Sequence, residues 1–231
     1  MRSTARCLFL LAAVLPLAAQ AAEPKPFTAT YNVSRNGKPV GDTKMTLEKS
    51  GEGTWLLTSQ TKGTAGMARM LGLDVREESK FRWKDGKPEG VAYDFRQDAT
   101  FKSKERHTDF DWNGGEVRVV DNKEQFRYPI KPGTMDRHSV SVALAAQLTG
   151  EARDTTLVVA TKDHLEMQRF TVAGDEAVNV PAGEYAARRI DRVDVEGKGR
   201  SWVAPGVAVP VKIEQVQGDG ATVLMELASI R

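Results

Sequence analysis

Between Arg137 and Glu151 the chain carries no Lys, Arg, Asp or Glu, while most of the sequence after the N-terminal leader alternates apolar and polar residues with a period of two. The stretch Thr134 to Gly150, TMDRHSVSVALAAQLTG, reads as a helix with a defined start and stop. Asp136 is placed to accept the N–H of Ser139 as an N-cap, Met135 and Val140 flank it as a hydrophobic staple, and Gly150 supplies the end. Val140, Ala143, Leu144 and Leu148 share one face, yet the opposite face holds Val142, Ala145, Ala146 and Thr149. A helix that is apolar all round must be enclosed. Among strands, that requires a sheet curved enough to wrap it. The feature therefore predicts a mainly β chain: a strongly curved antiparallel sheet, a half-barrel or incomplete barrel, with one buried helix near residues 136–149.

The alternation supplies the sheet. Phe27, Ala29, Tyr31 and Val33 line one face of a first strand that turns at Asn36-Gly37, a strong hairpin signal, and returns through Met45 and Leu47. A turn around Gly51 and Gly53 leads to Trp55, Leu57 and Ser59. The pattern then breaks at Gly63 to Leu73, GTAGMARMLGL, which reads as a short helical or irregular connection or as a Met-rich flap. It resumes with Val75, Ser79, Phe81 and Trp83, turns at Asp85-Gly86, and continues through Val91, Tyr93 and Phe95. Phe101 to Trp112, a turn at Asn113-Gly114-Gly115, Val117 and Val119, then Phe126, Tyr128 and Ile130 complete the first block. The mixed charges from Lys102 to Asp109 suit an exposed or edge strand. Beyond Gly150, strands are expected over Leu157–Ala160, Leu165–Val172, Val178–Val180, Tyr185–Val195, Ser201–Ala204, Val209–Gln217 and Ala221–Ile230, with Gly174-Asp175 breaking the second from the third. This gives roughly a dozen strands at hairpin spacing.

The first 21 residues read as an export leader, with Arg2 and Arg6 before an apolar core from Leu8 to Leu17 and Ala19-Gln20-Ala21 as the cleavage site. Cys7 precedes the apolar core, so no lipoprotein acceptor is expected, and residues 22–231 form a single exported domain with no transmembrane segment and no cysteine. Disulfides and thiolate chemistry are thereby excluded, and stability rests on the core. Two of the 33 basic residues lie in the leader, so the remainder matches the 31 acidic ones and the net charge of +2 falls to zero. Neither that balance nor any basic run points to nucleic acid.

Several short motifs, in order, carry a resemblance: Phe27-x-Ala-x-Tyr31, Asp136-x-x-Ser139 before the helix, Val180-Pro-Ala-Gly183-x-Tyr185, and Ser201-Trp202-Val203-Ala204-Pro205 with Val209-Pro210-Val211-Lys212-Ile213. Together they resemble the DUF3108 family of Gram-negative envelope proteins. The resemblance implies a periplasmic, β-rich protein and carries no activity with it.

For hydrolysis the material is Asp136, His138, Ser139 and Ser141. Neighbours on one helix do not align as nucleophile, base and orienter, and a capped helix start explains Asp136 and Ser139. His107, His138 and His164 lie in separate elements without metal-ligand spacing, so no metal or other cofactor is expected. Binding of a hydrophobic small molecule, lipid or lipoprotein draws instead on large side chains at alternating strand positions. Candidate lining residues are Trp55, Phe81, Trp83, Tyr93, Phe95, Phe110 and Trp112, with Met67 and Met70 at the mouth. The same aromatics equally suit an ordinary β core. The reading is thus a non-enzymatic envelope protein that binds or carries a hydrophobic component. The alternatives are an assembly factor acting on a protein partner and, behind it, a hydrolase whose site is not visible in sequence.

Overall fold

The computed structural model describes residues 23–195, 197 and 199–231; the leader at residues 1–21, with Cys7 and the cleavage site after Ala21, lies outside the described residues. Eight strands come first: β1 (Phe27–Arg35), β2 (Lys38–Lys49), β3 (Thr54–Gly63), β4 (Asp74–Lys84), β5 (Lys87–Ala99), β6 (Lys102–Asp111), β7 (Glu116–Asp121) and β8 (Glu124–Pro129). A short helix α1 (Gly66–Met70) joins β3 to β4. The two-residue β9 (Thr134–Met135) and helix α2 (Val140–Leu148) follow. The chain ends with β10 (Asp154–Ala160), β11 (Leu165–Val180), β12 (Gly183–Arg192), β13 (Gly199–Val203), β14 (Lys212–Val216) and β15 (Thr222–Ile230).

Among the described residues, fifteen strands form one sheet, in the order β8-β7-β6-β5-β4-β3-β2-β1-β15-β14-β13-β12-β11-β10-β9. The chain starts in the middle of the sheet at β1, walks outward to β8, crosses to the opposite edge at β9, and returns until β15 pairs antiparallel with β1. The two edge strands are therefore consecutive in sequence, separated only by residues 130–133. So short a link holds the edges close together, and a long sheet can satisfy it only by curling round. Its tight turns have the expected chemistry: Asn36 and Gly37, and likewise Asp85 and Gly86, adopt positive φ at both central positions, as a two-residue hairpin of the right twist requires.

Strand alternation sends one side chain in two into the curl. Phe27, Ala29, Tyr31, Met45, Leu47, Trp55, Leu57 and Phe81 meet Trp202, Val209, Val211 and Leu227 in one buried cluster. Tyr93, Phe110, Val117 and Val119 form a second. Helix α2 supplies Ala143, Leu144, Ala145 and Leu148 to a third, against Met135, Leu157, Val159, Phe170, Ile190 and Val203. Val142, on the other side of α2, faces the first cluster, so the helix is enclosed as its sequence requires. It touches β5 on one wall and β10 and β13 on the other.

Several expectations are corrected. The helix is shorter than the Thr134–Gly150 pattern: Thr134 and Met135 pair in parallel with Val158 and Val159, and residues 137–139 form a turn before Val140. Lys102 to Asp109 is not an edge, because β6 pairs with both β5 and β7. Its polar side chains pair across the strands, as His107 does with Asp94 (2.7 Å) and Asp109 with Arg118 (3.5 Å). Gly174 does not end a strand: the register shifts between Val172 and Gly174, and β11 continues through this bulge to Val180. Val209 to Val211 precede rather than begin β14, although Val209 and Val211 are fully buried.

Candidate functional site

The turn entering α2 is tied to β4 and β5 by polar side chains, with Ser79, Asp136 and His138 buried and Arg137 half-exposed beside them. Along β4, Phe81 and Ser79 face inward and are fully buried, which gives Glu77 the same inward parity. Ser79 Oγ donates to Asp136 Oδ1 at 2.7 Å and meets His138 Nδ1 at 2.9 Å. Asp136 Oδ1 also accepts the backbone N–H groups of His138 and Ser139, both at 2.9 Å, and Ser139 Oγ donates to the Asp136 carbonyl at 3.0 Å. Asp136 accepts the Ser139 N–H as expected, but it caps the turn before the helix and not the helix itself, whose N-cap position is held by Ser139 without a side-chain cap bond. Its buried carboxylate is anchored to a neighbouring strand as well.

Beside this group lies an ion pair. Arg137 Nη2 and Nε donate to Glu77 Oε1 at 2.9 and 3.1 Å, Tyr93 Oη donates to the same oxygen at 2.5 Å, and Arg137 Nε reaches Tyr93 Oη at 2.8 Å. The guanidinium lies over the Phe95 ring, 4.7 Å from its centroid. Burial opposes ionisation of Glu77, but the charge of Arg137, helped by His138 and the Tyr93 hydroxyl, outweighs it and holds the carboxyl below its usual range. Burial pushes the Tyr93 phenol up, with the Glu77 charge adding to it. At Asp136 burial dominates and raises the carboxyl; at His138 burial dominates and lowers the imidazole.

The order of these contacts decides what they can do. A serine nucleophile needs imidazole as the acceptor of its proton and a carboxylate behind the imidazole. Here the serine stands between the two. Its single proton goes to Asp136, so His138 Nδ1 is the donor to Ser79 Oγ, and His138 Nε2 and Asp136 Oδ2 are buried without a partner among the described protein groups. The arrangement fastens a turn to a strand. Glu77, Ser79 and Arg137 are the members that the sequence reading did not single out. A signal existed: Glu77 and Ser79 interrupt an otherwise apolar inward row between Val75 and Phe81.

The nine residues proposed as a ligand lining are divided by the structure. Trp55 and Phe81 lie in the first buried cluster with Trp83 packed against it, while Tyr93 and Phe110 lie in the second with Phe95 and Trp112 against it. Trp112 donates its indole N–H to the Gly90 carbonyl at 2.7 Å, and the Phe110 ring sits so close to Gly90 that a Cβ there would meet it at 2.8 Å. Met67 and Met70 are far from both clusters in environment, 63% and 68% exposed. Two surface depressions, of about 430 and 110 Å³, are lined by polar residues such as Lys44, Gln60 and Glu78, or Arg96 and Lys104. None of the nine lines either.

Met67 and Met70 have a neighbour the sequence reading omitted. Thr100 donates both its backbone N–H and its hydroxyl to the Leu71 carbonyl, each at 2.9 Å, which fixes the β5–β6 turn against α1. On the far side, the N–H groups of Thr64 and Ala65 reach the Val40 carbonyl at 3.0 and 3.3 Å. Three connections, residues 36–41, 62–73 and 99–104, are thereby laced into one rim. It displays Met67, Met70 and Phe101, the last 88% exposed.

The family model for a protein of unknown function, DUF3108, matches residues 27–227. The chain belongs to the DUF3108 family. The motifs that carried the resemblance fall at structural positions of this DUF3108 chain: Asp136 to Ser139 is the buried turn, and Trp202, Val203, Ala204, Val209 and Val211 are core. No curated protein matches the sequence. Among solved structures, the DUF3108 chain is similar to a β-barrel-like protein of a domain of unknown function, DUF1849, from Brucella abortus, with 12% identity, TM-score 0.49 and coverage of 89% of this chain and 96% of that one. A DUF1089 family protein from Pseudomonas aeruginosa aligns at 10% identity and TM-score 0.39, covering 89% and 95% of the two chains.

Proposed function

We propose that this protein is a non-catalytic, exported binding protein that holds a hydrophobic component of the cell envelope at the rim carrying Met67, Met70 and Phe101. Export follows from the leader, with its basic start, apolar core and Ala-Gln-Ala site, and leads to the periplasm. The observation that carries the reading is the exposure of these three apolar side chains on connections fastened to one another by hydrogen bonds. Large apolar side chains gathered on a protruding surface mark interaction sites, and methionine adapts to varied apolar shapes. In this reading Met67 and Met70 are the binding residues of the nine; Trp55, Phe81, Tyr93 and Phe110 are buried, and Trp83, Phe95 and Trp112 pack half-buried against them.

The test is methyl NMR of protein labelled with [13C-methyl]methionine, titrated with dihexanoylphosphatidylglycerol below its micelle concentration. Met67 and Met70 are expected to shift together, while Met167, 57% exposed on β11, stays fixed. A response confined to Met167, or no response at all, would refute the rim as the binding site.

A further inference from the structure

The rim has a charge pattern that names its partner. We infer that it docks on an anionic lipid bilayer, with Met67, Met70 and Phe101 entering the interfacial layer and the surrounding basic residues meeting the headgroups. This rests on the rim being the hydrophobic contact surface, as proposed above. The three laced connections, residues 36–41, 62–73 and 99–104, carry Lys38, Lys62, Arg69 and Lys104 and not one Asp or Glu, in a chain whose basic and acidic residues balance once the leader is set aside. Four carboxylates flank the rim: Asp42 accepts from Thr64, Asp74 from Gln60 and Arg76, and Asp98 from Arg96, while Glu105 stands opposite Arg96 across β5 and β6. Apolar side chains interleaved with basic ones are the composition of an interfacial anchor, because apolar burial and attraction to anionic lipid add.

The backbone fits that setting too. Groups entering a low-dielectric layer must satisfy their own hydrogen bonds. Here Arg69 N donates to Ala65 O at 3.1 Å, Leu71 N to Met67 O at 2.9 Å, Gly72 N to Arg69 O at 3.0 Å, and Leu73 N to Ala68 O at 2.9 Å. The α1 segment that would enter therefore has much of its backbone internally paired.

The experiment is co-sedimentation with phosphatidylethanolamine vesicles containing roughly one-third phosphatidylglycerol, beside vesicles of phosphatidylcholine alone. Binding is expected only to the anionic vesicles, and it should weaken at least about tenfold when salt rises from about 50 to about 300 mM, since exposed charges are screened. Met70→Ser with Phe101→Ser, and separately Arg69→Glu with Lys104→Glu, should each lower binding about tenfold or more, whereas Met167→Ser leaves it unchanged. All four substituted rim residues are exposed, so a normal thermal transition is expected in each variant and serves as the folding control. Equal binding to both vesicle types, or none to the anionic ones, would overturn bilayer docking. If Met67 and Met70 still respond to the short-chain lipid, the rim remains the binding site and only the bilayer falls; if both measurements fail, the rim falls with it.

Discussion

Replacing Ser79 with alanine tests whether the buried turn is held by its polar contacts or only by the packing around it. The hydroxyl makes two bonds, donating to the Asp136 carboxylate at 2.7 Å and accepting from His138 Nδ1 at 2.9 Å. Asp136 Oδ1 keeps two backbone donors in the variant, so it loses one charge-assisted bond, worth about 1.5–3 kcal/mol. His138 is 8% exposed and is left with a buried N–H that has no acceptor, a penalty of about 1–3 kcal/mol. Together these come to about 4 kcal/mol, a large part of the ~5–15 kcal/mol that stabilises a typical domain. With a urea slope of about 2.5 kcal/mol per molar, the unfolding midpoint should fall by about 1.6 M at unchanged slope. Ser59→Ala is the matched control: Ser59 is a serine of similarly low exposure on the adjoining strand, opposite Glu77, and should cost under ~1 kcal/mol. If Ser79→Ala costs no more than Ser59→Ala, the contacts do not hold the turn.

Leu144 is 2% exposed in the cluster around α2. Leu144→Asp would bury an unpaired charge and should abolish the cooperative thermal transition and the near-ultraviolet circular dichroism, whereas Leu144→Ala should remain folded with a loss of about 2–5 kcal/mol. His138 sets a pH dependence. Burial lowers its proton affinity in the folded state, so the stability it allows is full above the ordinary histidine value of about 6.5 and is lost as pH falls below it, by at most about 1.4 kcal/mol per unit. Asp136, raised by burial, acts in the opposite sense and gains stability as pH falls. The difference between wild type and His138→Asn isolates the histidine: in urea titrations from about pH 7 to about pH 5 the variant should lose less stability than wild type, and parallel curves would refute the assignment.

Much of the architecture was legible because period-two alternation and hairpin chemistry are local. Asn36-Gly37 and Asp85-Gly86 adopt the positive φ values that their residue types favour, and a charge-free helix among strands correctly implied a curled sheet around it. The exceptions are non-local. Lys102 to Asp109 looked like an edge because charge alternates along it, but charge on the outer face of a curled sheet serves a central strand equally well, provided cross-strand partners such as Asp94 and Arg118 are present. Gly174 read as a break because a bulge and a turn have the same local signature. At the candidate site, the bond from the Ser139 N–H to Asp136 was legible from spacing alone, whereas the extra turn that puts Ser139 and not Asp136 at the helix N-cap was not. Ser79 and Glu77 become informative only once β4 is known to face the turn, since a serine or glutamate on a strand is ordinarily an outward residue. Phe101 is inconspicuous in the sequence for a similar reason: it begins a strand pattern, and only the bonding of Thr100 to Leu71 sets it beside α1.

The way the sheet closes bears on the proposal that binding falls to the rim. β9 covers only Val158 and Val159 of β10, so the curl is completed by side chains rather than a continuous backbone ladder. Tyr128 Oη donates to the Thr161 carbonyl at 2.7 Å, Lys162 bridges Asp121 at 3.1 Å and also pairs with Glu124, and Phe126, Tyr128 and Ile130 pack in one cluster with Ala160 and Leu165. Inside, α2 spans from β5 to β10 and β13, and aromatic side chains fill the space on either side of it. A core packed in this way offers a ligand little room without displacing α2, at the cost of the buried contacts that hold it. The connections at the sheet's end are under no such constraint. Their side chains contribute little to the core, and Met67, Met70 and Phe101 there expose surface that folding alone does not require.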